Sequence, residues 1–378
     1  MHVTELVALV AVVLENTNSL RELRRHVNGL LIDAELKREL KTRHRLTAAC
    51  LGVPHLSAWS LLYKYGTDEN LLNVTTLTRS AFNELLARFA GFYHIHRPRR
   101  DGGRPPKLTE HHQVLGLLLH YYEGSMGVKT ICEIFAVPPT TLQRTLMKAE
   151  HALEAALRGF YPARISWPSL GHQRRMAAWV HAREPLLDNI FGFVDGKNYR
   201  VMQPSRADIQ NAYYNGWLHA VFVTGTICFG ADGCILWAKH NCPGSWNDSD
   251  TSLELREKLL DTRLCPDQSL GVVSDSAFPS SAAMRGRILT PLKDGDLDRL
   301  LPSVRSSARR LNNAITSVRQ AAEWGMGSIE KVYHRLLLPL PYDPERRRLQ
   351  LSNMFRLANY RVRTTGISQI RTIFSQLD

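Results

Sequence analysis

A mixed α/β fold, helical over its first half and built on a sheet over its second, is predicted by three observations on the chain. Up to about residue 185 apolar residues recur at helical spacing, as in NSLRELRRHVNGLLIDAELKRELKTRHRL and TRSAFNELLARFAGFY. From about residue 190 they gather into runs of strand length, FGFVDGKNYRV, WLHAVFVTGTICFG and CILWAKHNC. Charge is uneven: of a formal net +13, a net +8 lies in residues 301–378, where thirteen Arg or Lys face five acids. A basic excess gathered in one part of a chain points to a polyanion, nucleic acid first, because Lys and Arg displace the counterions condensed on phosphates.

At 378 residues there is room for two or three folded units, and the order of the chain divides it as 1–93, 94–109, 110–185 and 190–378. Residues 1–93 read as helical scaffold. Their apolar start, LVALVAVVL (6–14), follows Glu5, lacks a basic leader and is shorter than the ~20 residues of a membrane span, so it is read as a helix face and no membrane is expected. Residues 94–109, HIHRPRRDGGRPPKLT, combine five basic residues with three prolines and two glycines and read as a basic linker, although GRP has the composition of a minor-groove arm.

Within 110–185, the stretch GVKTICEIFAVPPTTLQRTLMKAEHALEA (127–155) has helix-turn-helix spacing. A short helix keeps Ile131, Ile134 and Phe135 inside. Pro138-Pro139 force a turn, and Thr140 can cap a second helix that buries Leu142, Leu146 and Leu153. Gln143, Arg144 and Lys148 fall on its outer side, where a recognition helix carries base and phosphate contacts; an ordinary helical hairpin with a wet polar side has the same pattern. In 190–378 the three strands, with GADG (230–233) turning between the last two, suggest an antiparallel meander. A helix from about Asp248 to Leu260, the run LGVVSD ending in Asp275, the short RILTPL and a long helix through SVRSSARRLNNAITSVRQAAEWGMGSIEKVYHRL follow. The order βββ-α-β-α-(β)-α describes an RNase H-like core, a mixed sheet covered on both faces.

Two of these strands are read as ending in carboxylates, Asp195 and Asp275. If the strands are central and adjacent, their acids emerge side by side. The long helix has an expected buried stripe of Leu311, Ile315, Val318, Ala322, Met326 and Ile329, which leaves Glu323 at its margin with Arg319 one turn earlier. Three converging carboxylates repel one another unless a cation is present, and hard oxygen donors select Mg²⁺ or Mn²⁺. Two such ions about 3.5–4 Å apart can clamp the attacking and leaving oxygens of a phosphodiester displacement. Singly, each acid has a plainer reading: Asp195 as an Asp-Gly turn, Asp275 as an N-cap, Glu323 as a surface partner of Arg319. Asp232 in a turn, and Asp294, Asp296 and Asp298 in a loop, are read as solvated; Glu330, two turns past Glu323, also ranks below the three acids, a helper of Glu323 being its minority reading. The arginines Arg346, Arg347, Arg348, Arg356, Arg361 and Arg363 are expected to track phosphates beside the acids, the alternative being stems packed into the fold. Six cysteines without a C-x-x-C pair read as mostly buried thiols, and the lack of a Gly-rich phosphate loop argues against an ATPase.

The stretches GFVDGKNYRV, NCPGSWNDS, VVSDSAFP, RQAAEWGMGSIEKVYHRL and FRLANYRVRTTGISQIRTIF together resemble the Harbinger-type transposases and transposase-derived nucleases of the DDE superfamily, from about residue 60 to the end. The resemblance implies an RNase H-like, magnesium-dependent DNA endonuclease whose Asp, Asp and Glu ligands fall on Asp195, Asp275 and Glu323, with Asp248 and Arg319 as auxiliary residues. The family's Gly-Ser-x-His-Asp is matched at Asp248, whereas Asn247 stands where histidine is usual and cannot carry a proton; Ala358 likewise replaces a frequent histidine. Double-stranded DNA is the expected partner, a separate DNA-binding protein and a second copy of the chain are further candidates, and the nucleus is the expected location. The rival expectation is a domesticated DNA-binding or chromatin-associated protein that keeps the fold without the reaction.

Overall fold

The structure, a computed structural model, describes residues 3–43, 50–95, 105–216, 218–278 and 281–375. Most of the expected linker, residues 96–104, lies outside them. The chain divides into two compact units, Met1–Gly52 and Val53–Asp378, so the boundary falls within the helical region expected over 1–93. The first unit holds one 41-residue helix, α1 (Val3–Arg43).

The second unit opens with α2 (Ala58–Tyr65), α3 (Asp68–Thr75), α4 (Arg79–Ala90), α5 (His111–Glu123), α6 (Val128–Phe135) and α7 (Pro139–Leu157). Ser57, Thr67 and Thr78 start α2, α3 and α4, each side-chain oxygen accepting the backbone N–H three residues on. Around α5 these helices share one core, since every residue from Gln113 to Tyr122 is buried. Gly116 faces Trp59 so closely that a Cβ would overlap the indole. Gly116→Ala is therefore expected to destabilise the unit by about 1–3 kcal/mol, the usual effect of overpacking, despite alanine's better helix propensity. A lower urea midpoint checks this; an unchanged midpoint would mean that Trp59 can step aside. The pair α6 and α7 occupies the stretch expected to turn between two helices. Pro139 is the first residue of α7 and Pro138 precedes it, so Thr140 lies inside the helix and is not its cap.

Then follow α8 (Leu170–Arg183), β1 (Ile190–Arg200), α9 (Ala207–Tyr213), β2 (Tyr214–Asn215), β3 (Ala220–Gly230), β4 (Ile235–Pro243), α10 (Asp248–Thr251), α11 (Leu253–Leu260), β5 (Gly271–Val273), β6 (Ile288–Leu289), α12 (Asp296–Arg299), α13 (Pro302–Val332), α14 (Pro344–Thr365) and α15 (Gln369–Phe374). In the sheet β1 is central, antiparallel to β3 on one edge and parallel to β5 on the other. Strand β3 continues to β4 and, at its start, to β2, while β5 pairs in parallel with β6. The meander is thus present with α9 and β2 inserted in it, and the helix expected over Asp248–Leu260 is broken at Ser252, whose hydroxyl turns back to the Asp248 carbonyl. Helix α13 packs on β1, β3 and β5, and Gly325 lets the Phe229 ring approach to where a side chain would stand. Three acid readings change. Asp232 is tied to His172 at 3.1 Å and to the Cys234 N–H at 3.0 Å, and Asp296 and Asp298 lie in the short α12. Cys132, Cys228, Cys234, Cys242 and Cys265 are buried and Cys50 is exposed.

Candidate functional site

Strand β1 does not end at Asp195. It runs on to Arg200, paired with β3 throughout, so the Asp-Gly turn is not formed. What stops is the parallel ladder to β5, whose last pair is Phe193 with Val273. Asp195 and Asp275 each lie two residues beyond that pair, Asp195 still within β1 and Asp275 just past the end of β5. Their carboxylates therefore leave neighbouring segments at one edge of the pairing. Burial and, next, the charge of Asp275 push the Asp195 carboxyl up to about 6; the Gly196 N–H and Arg319 oppose this, and Glu323 adds to it. The Gly196 N–H donates to Asp195 Oδ1 at 2.8 Å. Asp275 Oδ1 accepts the Ala277 N–H at 3.0 Å, a local turn contact in place of a helix cap.

Asp248, the first residue of α10, also feels the charge of Asp275. Its Oδ1 sits 2.6 Å from where a Gly196 Cβ would be, so a side chain there would make the Asp248 carboxylate shift. Burial, then the charge of Asp275, raises its carboxyl. Asn247, which stands where the resembled family has histidine, caps α10: its side chain accepts the Asp250 N–H at 3.1 Å, and Asp250 accepts the Asn247 N–H at 3.3 Å.

On α13 the buried stripe is Ala314, Ile315, Val318, Ala321, Ala322, Gly325, Met326 and Ile329. Leu311 is left out, 42% exposed, because residues 302–310 have no buried position and the covered part of the helix starts later than expected. Glu323 lies at the margin of the stripe, 53% exposed, and accepts from Arg319 at 3.0 Å; its charge is nonetheless felt at Asp195. Glu330 pairs not with the Glu323 region but with Lys197 at 2.7 Å. Lys197 is two residues beyond Asp195 on β1, and Glu330 two turns beyond Glu323 on α13, so this pair ties the strand to the helix that carries Glu323. Sequence reasoning passed over Lys197, whose signal was its place on the same strand face as Asp195.

Among the described residues no group of three or more His, Cys, Asp or Glu side chains is placed to hold a metal ion, and Glu323 is turned onto Arg319. The donor chemistry still suits a hard divalent cation. Every acidic donor is a carboxylate, and Asp195 is driven toward its protonated form by burial and by Asp275, as happens where carboxylates share a site without a counter-ion.

The basic residues fall into two classes. Gln143, Arg144 and Lys148 are exposed on α7, and Arg144 and Lys148 line a cleft of about 330 Å³ with Tyr93, Lys107, Thr140 and Thr141. The arginines of α14 are mostly engaged inside the fold. Arg347 is fully buried; it donates to the Asn241 side chain and to the Pro341 and Tyr342 carbonyls, and lies over the Tyr213 ring. This corrects its reading as a phosphate contact, since no phosphate can reach it. Arg346 and Arg348 pair with Glu150 and Glu154 of α7, and Arg363 donates to the carbonyls of Tyr161, Pro162 and Arg164. Burial lowers the guanidinium pKa of both Arg356 and Arg361, and Arg361 donates to the Ile367 carbonyl. Packed stems, rather than a phosphate track, describe much of this cluster.

No curated protein and no solved structure matches the chain. Residues 194–359, which carry Asp195, Asp248, Asp275 and Glu323, match the family model of the DDE superfamily endonucleases.

Proposed function

We propose that the protein is a metal-dependent endonuclease of transposase descent acting on double-stranded DNA in the nucleus, with an RNase H-like catalytic domain. The observation that carries this reading is the parallel register of Phe193 with Val273, two residues before Asp195 and Asp275 on neighbouring segments, together with an Asp195 carboxyl raised by burial and then by the charge of Asp275. Asp195 and Asp275 would hold Mg²⁺ or Mn²⁺, and Glu323 would complete the set on leaving Arg319. When bound, a pair of such ions supplies positive charge at the attacking and leaving oxygens of the phosphodiester. Asp248 adds negative charge beside them, and Lys197 with Glu330 keeps β1 and α13 in register. Asn247 is a helix cap, so no proton is moved through it. Released from Glu323, Arg319 is free to face a phosphate.

Supercoiled plasmid incubated with the full chain and Mg²⁺ should yield nicked circles, and EDTA should prevent it. Plasmid that is bound but never nicked, in Mg²⁺ or Mn²⁺, would overturn this reading in favour of a DNA-binding protein without the reaction.

In the same reading α6 and α7 are a helix-turn-helix whose second helix reads DNA. Arg144, near the start of α7, would reach base edges, while Lys148, one turn on, would meet phosphate. Arg144→Ala is then expected to weaken binding to the preferred site by about 1–3 kcal/mol and to random duplex hardly at all, whereas Lys148→Ala weakens both alike. Titrations on specific and scrambled duplexes at one salt concentration check this. Equal losses for Arg144→Ala would assign α7 to scaffold.

A further inference from the structure

We propose that the cavity along the outer edge of β4 is a phosphate-binding site, with Arg356, Lys258 and His240 as its donors. Strand β4 pairs with β3 alone, and its outer edge is covered at Ile235 by Asn359, whose side chain accepts the Ile235 N–H at 2.7 Å and donates to the Ile235 carbonyl at 2.9 Å. From Leu236 to Ala238, and again at His240, the strand lines a cavity of about 350 Å³. Two helices close it, through Glu254 and Lys258 of α11 and Ser352 and Arg356 of α14, together with Ser166.

Positive charge in this cavity is left without an anion. Arg356 makes no hydrogen bond or ion pair among the described residues, and its Nη1 is buried without a partner. The acid whose charge reaches it, Glu154, is engaged by Arg348 at 3.0 Å and by Arg158 at 4.0 Å. His240 Nδ1 is a second buried atom without a partner. Burial, then the charges of Arg348 and Arg356, push the imidazole down to about 4, and no acid offsets them. Glu254, the acid among the described lining residues, accepts from Trp237 Nε1 at 3.2 Å and lies 3.5 Å from Lys258 Nζ. One carboxylate therefore faces two cations.

Buried donors without acceptors cost free energy that a bound anion recovers. Donors brought together from α11, α14, β4 and Ser166 suit an anion with acceptor oxygens in every direction, as phosphate has, whereas a carboxylate presents two oxygens on one side. Ala238, in the cavity wall, pairs with Ile227, and Ile227 with Asp195, so the cavity begins two strand spacings, about 10 Å, from that acid along the sheet. A phosphate of DNA lying on the acids and a free phosphate compound are the two sources of such a group, and the site does not depend on the acids holding a metal.

Inorganic phosphate titrated into the full chain by calorimetry, in EDTA and at fixed ionic strength, should bind saturably in the millimolar range or tighter. Arg356→Met and Lys258→Gln should each weaken it by about tenfold or more, the loss of one charged hydrogen bond. Glu254→Gln should strengthen it, because the amide keeps an acceptor for Trp237 and takes a negative charge out of the cavity; a packing defect would only weaken it. Urea midpoints measured without phosphate are the control for folding, and if Arg356→Met lowers its midpoint, the partly exposed Lys258 and Glu254 carry the test. Wild type that fails to bind millimolar phosphate would overturn the proposal. So would equal binding by wild type and all three variants, which would place the anion elsewhere, as in the cleft of Lys107, Arg144 and Lys148. A short duplex titrated into the same variants separates the sources: affinity that follows the phosphate series assigns the site to DNA, and affinity that stays put while phosphate binding changes assigns it to a free phosphate compound. Nicking is not a readout here, so this proposal and the nuclease reading fail separately.

Discussion

Asp195→Asn, Asp275→Asn and Glu323→Gln should each reduce plasmid nicking by about 10²–10³-fold or more, the scale seen when one group facing the transition-state charge is lost. Affinity for duplex DNA, measured in EDTA, should stay equal or rise. The two readouts move apart for one physical reason: each carboxylate repels the phosphate in the absence of a cation and is needed to hold the cation that reverses that repulsion. A loss of nicking accompanied by an equal loss of binding would indicate a folding defect, which the isosteric amide substitutions are chosen to avoid. Glu323→Gln discriminates most, because Glu323 pairs with Arg319. If that ion pair is its whole role, the variant nicks at the wild-type rate and the third ligand must be sought elsewhere, with Asp248, which feels the charge of Asp275, the first candidate.

How the acids come together was partly legible in the chain, and the limits are instructive. The apolar runs before Asp195 and Asp275 and the stripe from Ile315 to Ile329 are local patterns, and local periodicity reports them directly. The continuation of β1 through Asp195-Gly196 was not legible, because that dipeptide reads as a turn. It stays extended because Thr226 and Gly225 of β3 pair with Gly196 and Lys197. The basic cluster misled for a related reason. A count of arginines cannot separate those facing water from those facing carbonyls, and the partners of Arg347 and Arg348 stand 106 and 194 residues away, at Asn241 and Glu154. Such pairings belong to the tertiary fold, whereas the exposed Gln143, Arg144 and Lys148 follow from the period of a single helix.

The raised carboxyl of Asp195 makes stability depend on pH in a stated direction. Its folded value of about 6 lies above the ordinary 3.8, so the native state binds this proton more tightly than the unfolded chain does. The resulting contribution is complete below the ordinary value and is lost as pH rises through about 6, where the buried carboxylate must ionise beside Asp275. At 1.36 kcal/mol per unit the loss is about 3 kcal/mol. In EDTA the wild type should therefore lose stability, relative to Asp195→Asn, between pH 4 and pH 7, since the amide keeps the size of the side chain and carries no charge at any of these values. Mg²⁺ added at pH 7.5 should restore the wild type, by about 2.7 kcal/mol at a concentration one hundred times its dissociation constant, and leave Asp195→Asn nearly unmoved. Urea unfolding across that pH range, with and without Mg²⁺, measures both effects. If the two proteins run parallel in EDTA, Asp195 is not strained by its neighbours; if Mg²⁺ stabilises them equally, the ion binds somewhere other than beside Asp195.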